Sequence, residues 1–208
     1  MATTHGASEF AKVFGRPAPK AKPGLQFDAP AMQYIWERMH PRVGVGWFRN
    51  RFIYLFGEGL ADLLPCLDAW SFLVPRQRKP VIFGRNAFGA LLVMPDSTLT
   101  ATEPTVGLLD PSRVSWTSNP NLGLGNLIEV WLPEGRMPAF TDDELYRGWL
   151  SAGGQAAPID QMLAPKIALA LGGSTDSKNL ELQDIVSYYA ITGPIYENAG
   201  LPKGRGPR

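Results

Sequence analysis

VIFGRNAFGALLVMPDSTLTATEPTVGLLDPSRVSWTSNPNLGLGNLIEVWL, residues 81–132, is a succession of short apolar runs broken by turn residues. Val81–Phe83, Phe88–Met94, Val106–Leu109, Val114–Trp116 and Leu127–Leu132 have the aliphatic and aromatic content of strands. Pro95-Asp96-Ser97, Asp110-Pro111-Ser112 and Asn119-Pro120-Asn121 punctuate them. The gaps are too short for the crossovers that parallel strands require, so the runs are expected to pair antiparallel as a meander. The fold class that follows is α+β, a mostly antiparallel central sheet with helices packed on it.

Upstream, Val43 to Phe56 reads as a hairpin turning at Arg49-Asn50-Arg51. Before it, Met32, Ile35, Trp36 and Met39 recur at i, i+3, i+4 and i+7, which predicts a helix capped by Asp28 and stopped by Pro41. After it, Leu60, Leu63, Leu64, Leu67 and Trp70 are helically spaced, and Pro65 predicts a kink or two short helices. Phe10, Val13 and Phe14 suit one anchoring turn, followed by an extended, solvated Pro-rich linker over residues 15–24.

Downstream, Thr141-Asp142-Asp143-Glu144 reads as a capping box, with Phe140 and Leu145 as its hydrophobic staple. Leu145, Tyr146, Trp149 and Leu150 are expected to face the core, and Gly153 to close the helix. Ile167–Leu171 reads as a buried apolar strand ending in a turn at Gly172-Gly173-Ser174-Thr175-Asp176. Leu180 and Leu182 suggest another strand, and Asp184 caps a final helix. Residues 198–208, rich in Pro, Gly and basic residues, read as a disordered tail.

The chain has 208 residues and one cysteine, Cys66, so no internal disulfide is available. No apolar run approaches the roughly 18 residues of a membrane span, and Met1 to Ser8 lacks a signal-peptide core. Both features point to a cytoplasmic protein. The net charge of +1 hides an asymmetry. Residues 1–95 carry 12 Lys/Arg against 6 Asp/Glu, and residues 96–197 carry 5 against 13. An acidic half either attracts a basic partner or simply solvates one side of the fold.

Catalytic motifs are scarce. His5 lies near the terminus, and His40 suits a helix C-terminus. Two scattered histidines and one cysteine give no zinc pattern. Gly123-Leu124-Gly125 lacks the third glycine of a dinucleotide loop, with a strand expected after it. Gly172-Gly173-Ser174 lacks the lysine of a phosphate loop. No catalytic residue, cofactor or metal site is therefore assigned.

Phe10-Ala11-Lys12-Val13-Phe14-Gly15-Arg16-Pro17 resembles the start of the GAD-like domain. Trp36, Gly44, Trp47-Phe48, Ala69-Trp70 and Ala87-Phe88-Gly89-Ala90-Leu91 are similar to later parts of it. Pro165–Gly173, with its A-L-A-L-G-G run, and Asn179-Leu180 resemble the C-terminal domain of type VI secretion immunity proteins. The chain departs from that pattern at Ala90, where an acidic residue is common. It departs again at Asp160-Gln161-Met162-Leu163-Ala164, which lacks the usual aromatics.

The resemblance implies an N-terminal arm and linker over residues 1–24, a GAD-like domain over 25–118 and an immunity-type domain over 119–197. It further implies a cytoplasmic immunity protein that binds and neutralises a secreted nuclease. Such a toxin needs a basic surface, and its inhibitor an acidic one. The candidate contact residues are Asp110, Glu129, Glu134, Asp142, Asp143, Glu144 and Asp160, with Trp116 and Trp131 as exposed aromatics. Neither a membrane nor nucleic acid is an expected direct partner, and the oligomeric state is open. The alternatives are a hydrolase or nucleotide-handling enzyme built on clustered carboxylates, or a housekeeping protein-binding module.

Overall fold

A computed structural model of the chain describes residues 8–25, 30–76, 78–95, 105–174 and 176–199. The expected cap Asp28, most of the turn Pro95-Asp96-Ser97, Thr175 and the tail from 200 lie outside the described residues, as do the side chains of Met32 and Ile35.

Six strands form an antiparallel meander: β1 (Gly46–Phe48), β2 (Ile53–Leu55), β3 (Val81–Asn86), β4 (Leu91–Met94), β5 (Thr105–Asp110) and β6 (Ser115–Gly123). Each pairs with its neighbour in sequence. The β1–β2 turn is the expected Arg49-Asn50-Arg51, all three with positive φ. One cross-strand row runs Trp47, Tyr54, Arg85, Leu91, Leu109, Trp116.

Both faces of this sheet are covered, so β4 is buried at every position and shows no polar alternation. On one face, Phe48, Ile53, Phe83 and Leu92 pack against helices α1 (Glu9–Phe14) and α2 (Pro30–Val43) and a group of short C-terminal helices. That group is α4 (Leu124–Asn126), α5 (Pro138–Thr141) and α6 (Glu144–Ser151). On the other face, Trp47, Tyr54, Leu91 and Leu109 pack against α3 (Pro65–Ala69) and α7 (Ile185–Asn198). A separate antiparallel ribbon, β7 (Gln161–Pro165) with β8 (Leu180–Asp184), leads into α7. The Asp184 carboxylate caps α7 by accepting from the Ser187 N–H at 2.7 Å. The expected domain boundary at 118/119 falls inside β6.

Five sequence expectations give way to specific forces. Residues 15–24 are largely exposed, but they are not a free linker. Ala18 N–H donates to the Trp47 carbonyl, Trp47 N–H to the Pro19 carbonyl and Ala21 N–H to the Val45 carbonyl. The Pro-rich segment thus covers the open edge of β1, a common way of protecting an unpaired strand.

Pro41 does not stop α2, which continues to Val43. Asn119-Pro120-Asn121 is a bulge within edge strand β6, where a residue lacking an N–H is tolerated. Its Asx chemistry survives: the Asn119 side chain accepts from Asn121 N–H.

Leu127–Leu132 is helical, α4 running into a π-turn over Leu127–Trp131. Leu124, Leu127, Ile128 and Leu132 are its buried positions, a helical spacing that a short apolar run conceals. Accordingly a helix, not a strand, follows Gly123.

Ile167–Leu171 is not a buried strand. Ile167 and Leu171 are 54% and 63% exposed, and residues 169–171 form a 3-10 turn. The following glycines are required: Gly172 has φ +86, and a β-carbon at Gly173 would sit 1.8 Å from the Ile167 carbonyl oxygen.

Cys66 lies buried on α3, and burial pushes its thiol up from 9.0 to about 12. An acid whose folded pKa is raised holds its proton while the unfolded chain has lost it. Stability is then whole below about pH 9 and falls toward pH 12, by up to about 4 kcal/mol for this group. Burial also raises Tyr54, Tyr146, Tyr188 and Tyr189, in the same sense. Arg85 opposes them, because its lowered pKa of about 10 adds stability as pH rises past that value. The urea midpoint is expected to fall between pH 8 and pH 10.5. At pH 8 the thiol should stay inert to a disulfide reagent until the chain is unfolded.

Candidate functional site

One cavity lies where the β5–β6 turn, the α5–α6 junction and the β7–β8 ribbon meet. It encloses about 250 Å³. Phe88, Met162, Leu163 and Leu180 supply apolar walls, and Asp110, Arg113 and Asp142 supply charge. Pro165 and Tyr188 also line a second hollow, of about 270 Å³, floored by Ala168 and flanked by Ile167, Leu171 and Ile191. The two hollows adjoin at these shared walls, and together they make up the groove. Burial, and then Tyr196, push the Tyr188 hydroxyl upward, so that shared wall is neutral at ordinary pH.

The candidate contact residues divide sharply. Asp110 is 2% exposed and is no surface group. Its Oδ1 accepts from Ser112 N–H at 3.0 Å, Ser112 Oγ at 2.7 Å and Arg113 N–H at 3.3 Å. The carboxylate closes the β5–β6 turn, which Val114 completes at φ +48.

Glu129 accepts from the Glu9 N–H at 2.8 Å and lies 3.8 Å from Arg42, tying the start of α1 to the π-turn. Glu134 pairs with Arg136, and Asp143 with Arg147 at 3.0 Å. Asp160 is exposed at the start of β7.

Neither aromatic is fully exposed. Trp116 is half-buried over Gly107, where a β-carbon would lie 2.3 Å from the ring. Trp131 is half-buried against the core on the α1 side.

Asp142 and Glu144 remain exposed. Asp142 lines the first cavity with Asp110, and lines a more open hollow on α6 with Glu144 and Leu145. Among the described residues, no cation lies within ion-pair distance of either carboxylate. The expected capping box does not form. Thr141 ends α5 and donates its hydroxyl to the Met137 carbonyl. Asp143 takes the N-cap position of α6 without a side-chain bond to the helix N–H groups, and Asp142 Oδ1 accepts from Glu144 N–H. This two-residue delay rotates the helix, so Tyr146 is buried and Leu145 faces out.

Sequence reasoning missed the apolar half of the groove. Among the described residues the exposed large hydrophobics are Val13, Leu145, Ile167, Leu171 and Ile191, and all but Val13 line it. Their residue types signal core, and nothing local marks them as exposed. Among the described residues, no three or more His, Cys, Asp or Glu side chains are grouped to hold a metal ion, and no helix is long and apolar enough to cross a membrane.

No family model and no curated protein matches the chain. The fold is similar to that in a solved structure, the crystal structure of Atu4351 from Agrobacterium tumefaciens. The match has a TM-score of 0.59 at 14% identity and covers 89% of this chain and 87% of that one. At that identity the likeness establishes the shared α+β architecture.

Proposed function

We propose that the protein is a cytoplasmic immunity protein that binds a type VI secreted nuclease and neutralises it by occlusion. The observation that carries this reading is the groove: four exposed aliphatic side chains, Leu145, Ile167, Leu171 and Ile191, beside the carboxylates of Asp142 and Glu144. Exposed apolar side chains gathered in one place are the mark of a contact surface. Carboxylates that pair with no cation among the described residues suit a partner that must itself bind phosphates. The buried carboxylate of the cavity, Asp110, is spent on its own turn, which favours contact over acid–base chemistry. The resemblance of the A-L-A-L-G-G segment to the immunity-type domain supports the same reading.

The test is co-expression of the chain with the nuclease encoded beside its gene. Cells are expected to survive and the two proteins to co-purify in a fixed ratio. If the chain neither protects the cells nor binds that nuclease, the reading fails.

A further inference from the structure

The groove is chemically two-ended. At the α7 end stand Ile167, Leu171 and Ile191, with Ile195 behind them. At the α6 end stand Leu145, Asp142 and Glu144. Among the described residues no cation pairs with Asp142 or Glu144, and Arg147 on α6 pairs with Asp143 instead. Arg113 Nε lies 3.9 Å from Asp110, and Lys166 Nζ donates to the Lys178 carbonyl at 3.2 Å. The acidic end thus keeps its charge, and the apolar end keeps its exposed surface.

Resting on the binding reading above, we infer that the groove docks one segment of the partner whose apolar side chains are followed by basic ones. The apolar side chains seat against Ile167, Leu171 and Ile191. The basic groups meet Asp142 and Glu144.

Charge decides against the other occupants. A second copy docked about a two-fold axis lays the acidic end of one groove either on the apolar end of the other or on its acidic end, and both desolvate carboxylates without a cation. An anionic bilayer is repelled by the same carboxylates.

The probe is a fluorescein-labelled 12-residue peptide carrying three leucines followed by three arginines. A twin peptide has glutamates in place of the arginines. Anisotropy is read with the full chain. The arginine peptide is expected to bind and the glutamate twin to bind at least tenfold more weakly. Ile191→Glu, and Asp142→Asn combined with Glu144→Gln, are each expected to weaken the arginine peptide at least tenfold. Glu134→Gln, outside the groove, should leave its binding unchanged. All of these side chains are exposed, so unchanged thermal unfolding of each variant serves as the folding control.

Absence of binding, equal binding of the two peptides, or indifference to the groove variants would overturn the inference. So would self-association in sedimentation, or binding to phosphatidylglycerol vesicles, that Ile191→Glu abolishes. If the peptide pattern holds but the neighbouring nuclease is not neutralised, the immunity reading falls and the groove stands. If the nuclease is neutralised equally by wild type and by the groove variants, the groove falls and the immunity reading stands.

Discussion

Arg85→Ala is expected to destabilise the protein by about 3–5 kcal/mol, read as a lower urea midpoint at constant slope. Arg85 sits in β3, fully buried. One guanidinium nitrogen donates to the Ile159 carbonyl at 2.7 Å and to the Gln161 carbonyl at 2.6 Å. The guanidinium carbon lies 5.2 Å from the centre of the Trp47 ring. The side chain therefore fastens the central sheet to the entry of the β7–β8 ribbon, which carries the groove. Truncation leaves a cavity and two carbonyls without their donor.

The same arginine carries a cost. Among the described residues its Nε and Nη2 have no hydrogen-bond partner, and burial drives its pKa down to about 10. Arg85→Met separates the two effects, because it refills the volume and removes the charge. A loss of about 2 kcal/mol is expected, from the orphaned Ile159 and Gln161 carbonyls. A methionine variant as stable as wild type would mean that the two carbonyl bonds merely offset the burial of the cation.

Arg85 also marks where sequence reading ends. Nothing distinguishes it from an ordinary surface arginine, because its environment is assembled by residues 47, 146, 159 and 161, far apart in the chain. What was legible was local. The positive-φ turn at Arg49-Asn50-Arg51, the Asp184 cap and the break at Pro65 each depend on a few adjacent residues. The meander through β5 was legible because short gaps leave only antiparallel pairing.

Leu127–Leu132 was not legible, since its apolar spacing satisfies strand and helix alike until the rest of the core chooses. Thr141–Glu144 has the residues of a capping box. The preceding Pro138 starts a separate short helix that takes Thr141 for its own last residue. Of the candidate site, Asp142 and Glu144 were legible from charge. Ile167, Leu171 and Ile191 were not, because an apolar side chain on a surface looks in sequence like one in a core.

Gly193→Val is expected to loosen α7 from α3 and cost about 3 kcal/mol. A β-carbon at Gly193 would lie 2.2 Å from the Ala69 carbonyl oxygen, which is backbone and cannot rotate aside. The close approach it permits is exploited at once. Trp70 Nε1 donates to the Tyr189 carbonyl at 3.1 Å, and the Trp70 ring lies 5.0 Å from the Tyr189 ring and 5.3 Å from the Tyr196 ring. Tyr189 in turn donates its hydroxyl to the Gly89 carbonyl at 2.9 Å, binding α7 to the β3–β4 turn. Gly193→Ala tests the argument more sharply. Helix propensity alone favours alanine over glycine by about 1 kcal/mol, so a helix-centred view predicts stabilisation. The backbone contact predicts the opposite sign, a lower Tm accompanied by altered Trp70 fluorescence. Because α7 carries Ile191 into the groove, the same variant should also weaken the arginine peptide, while Ile191→Glu weakens it with no change in Tm.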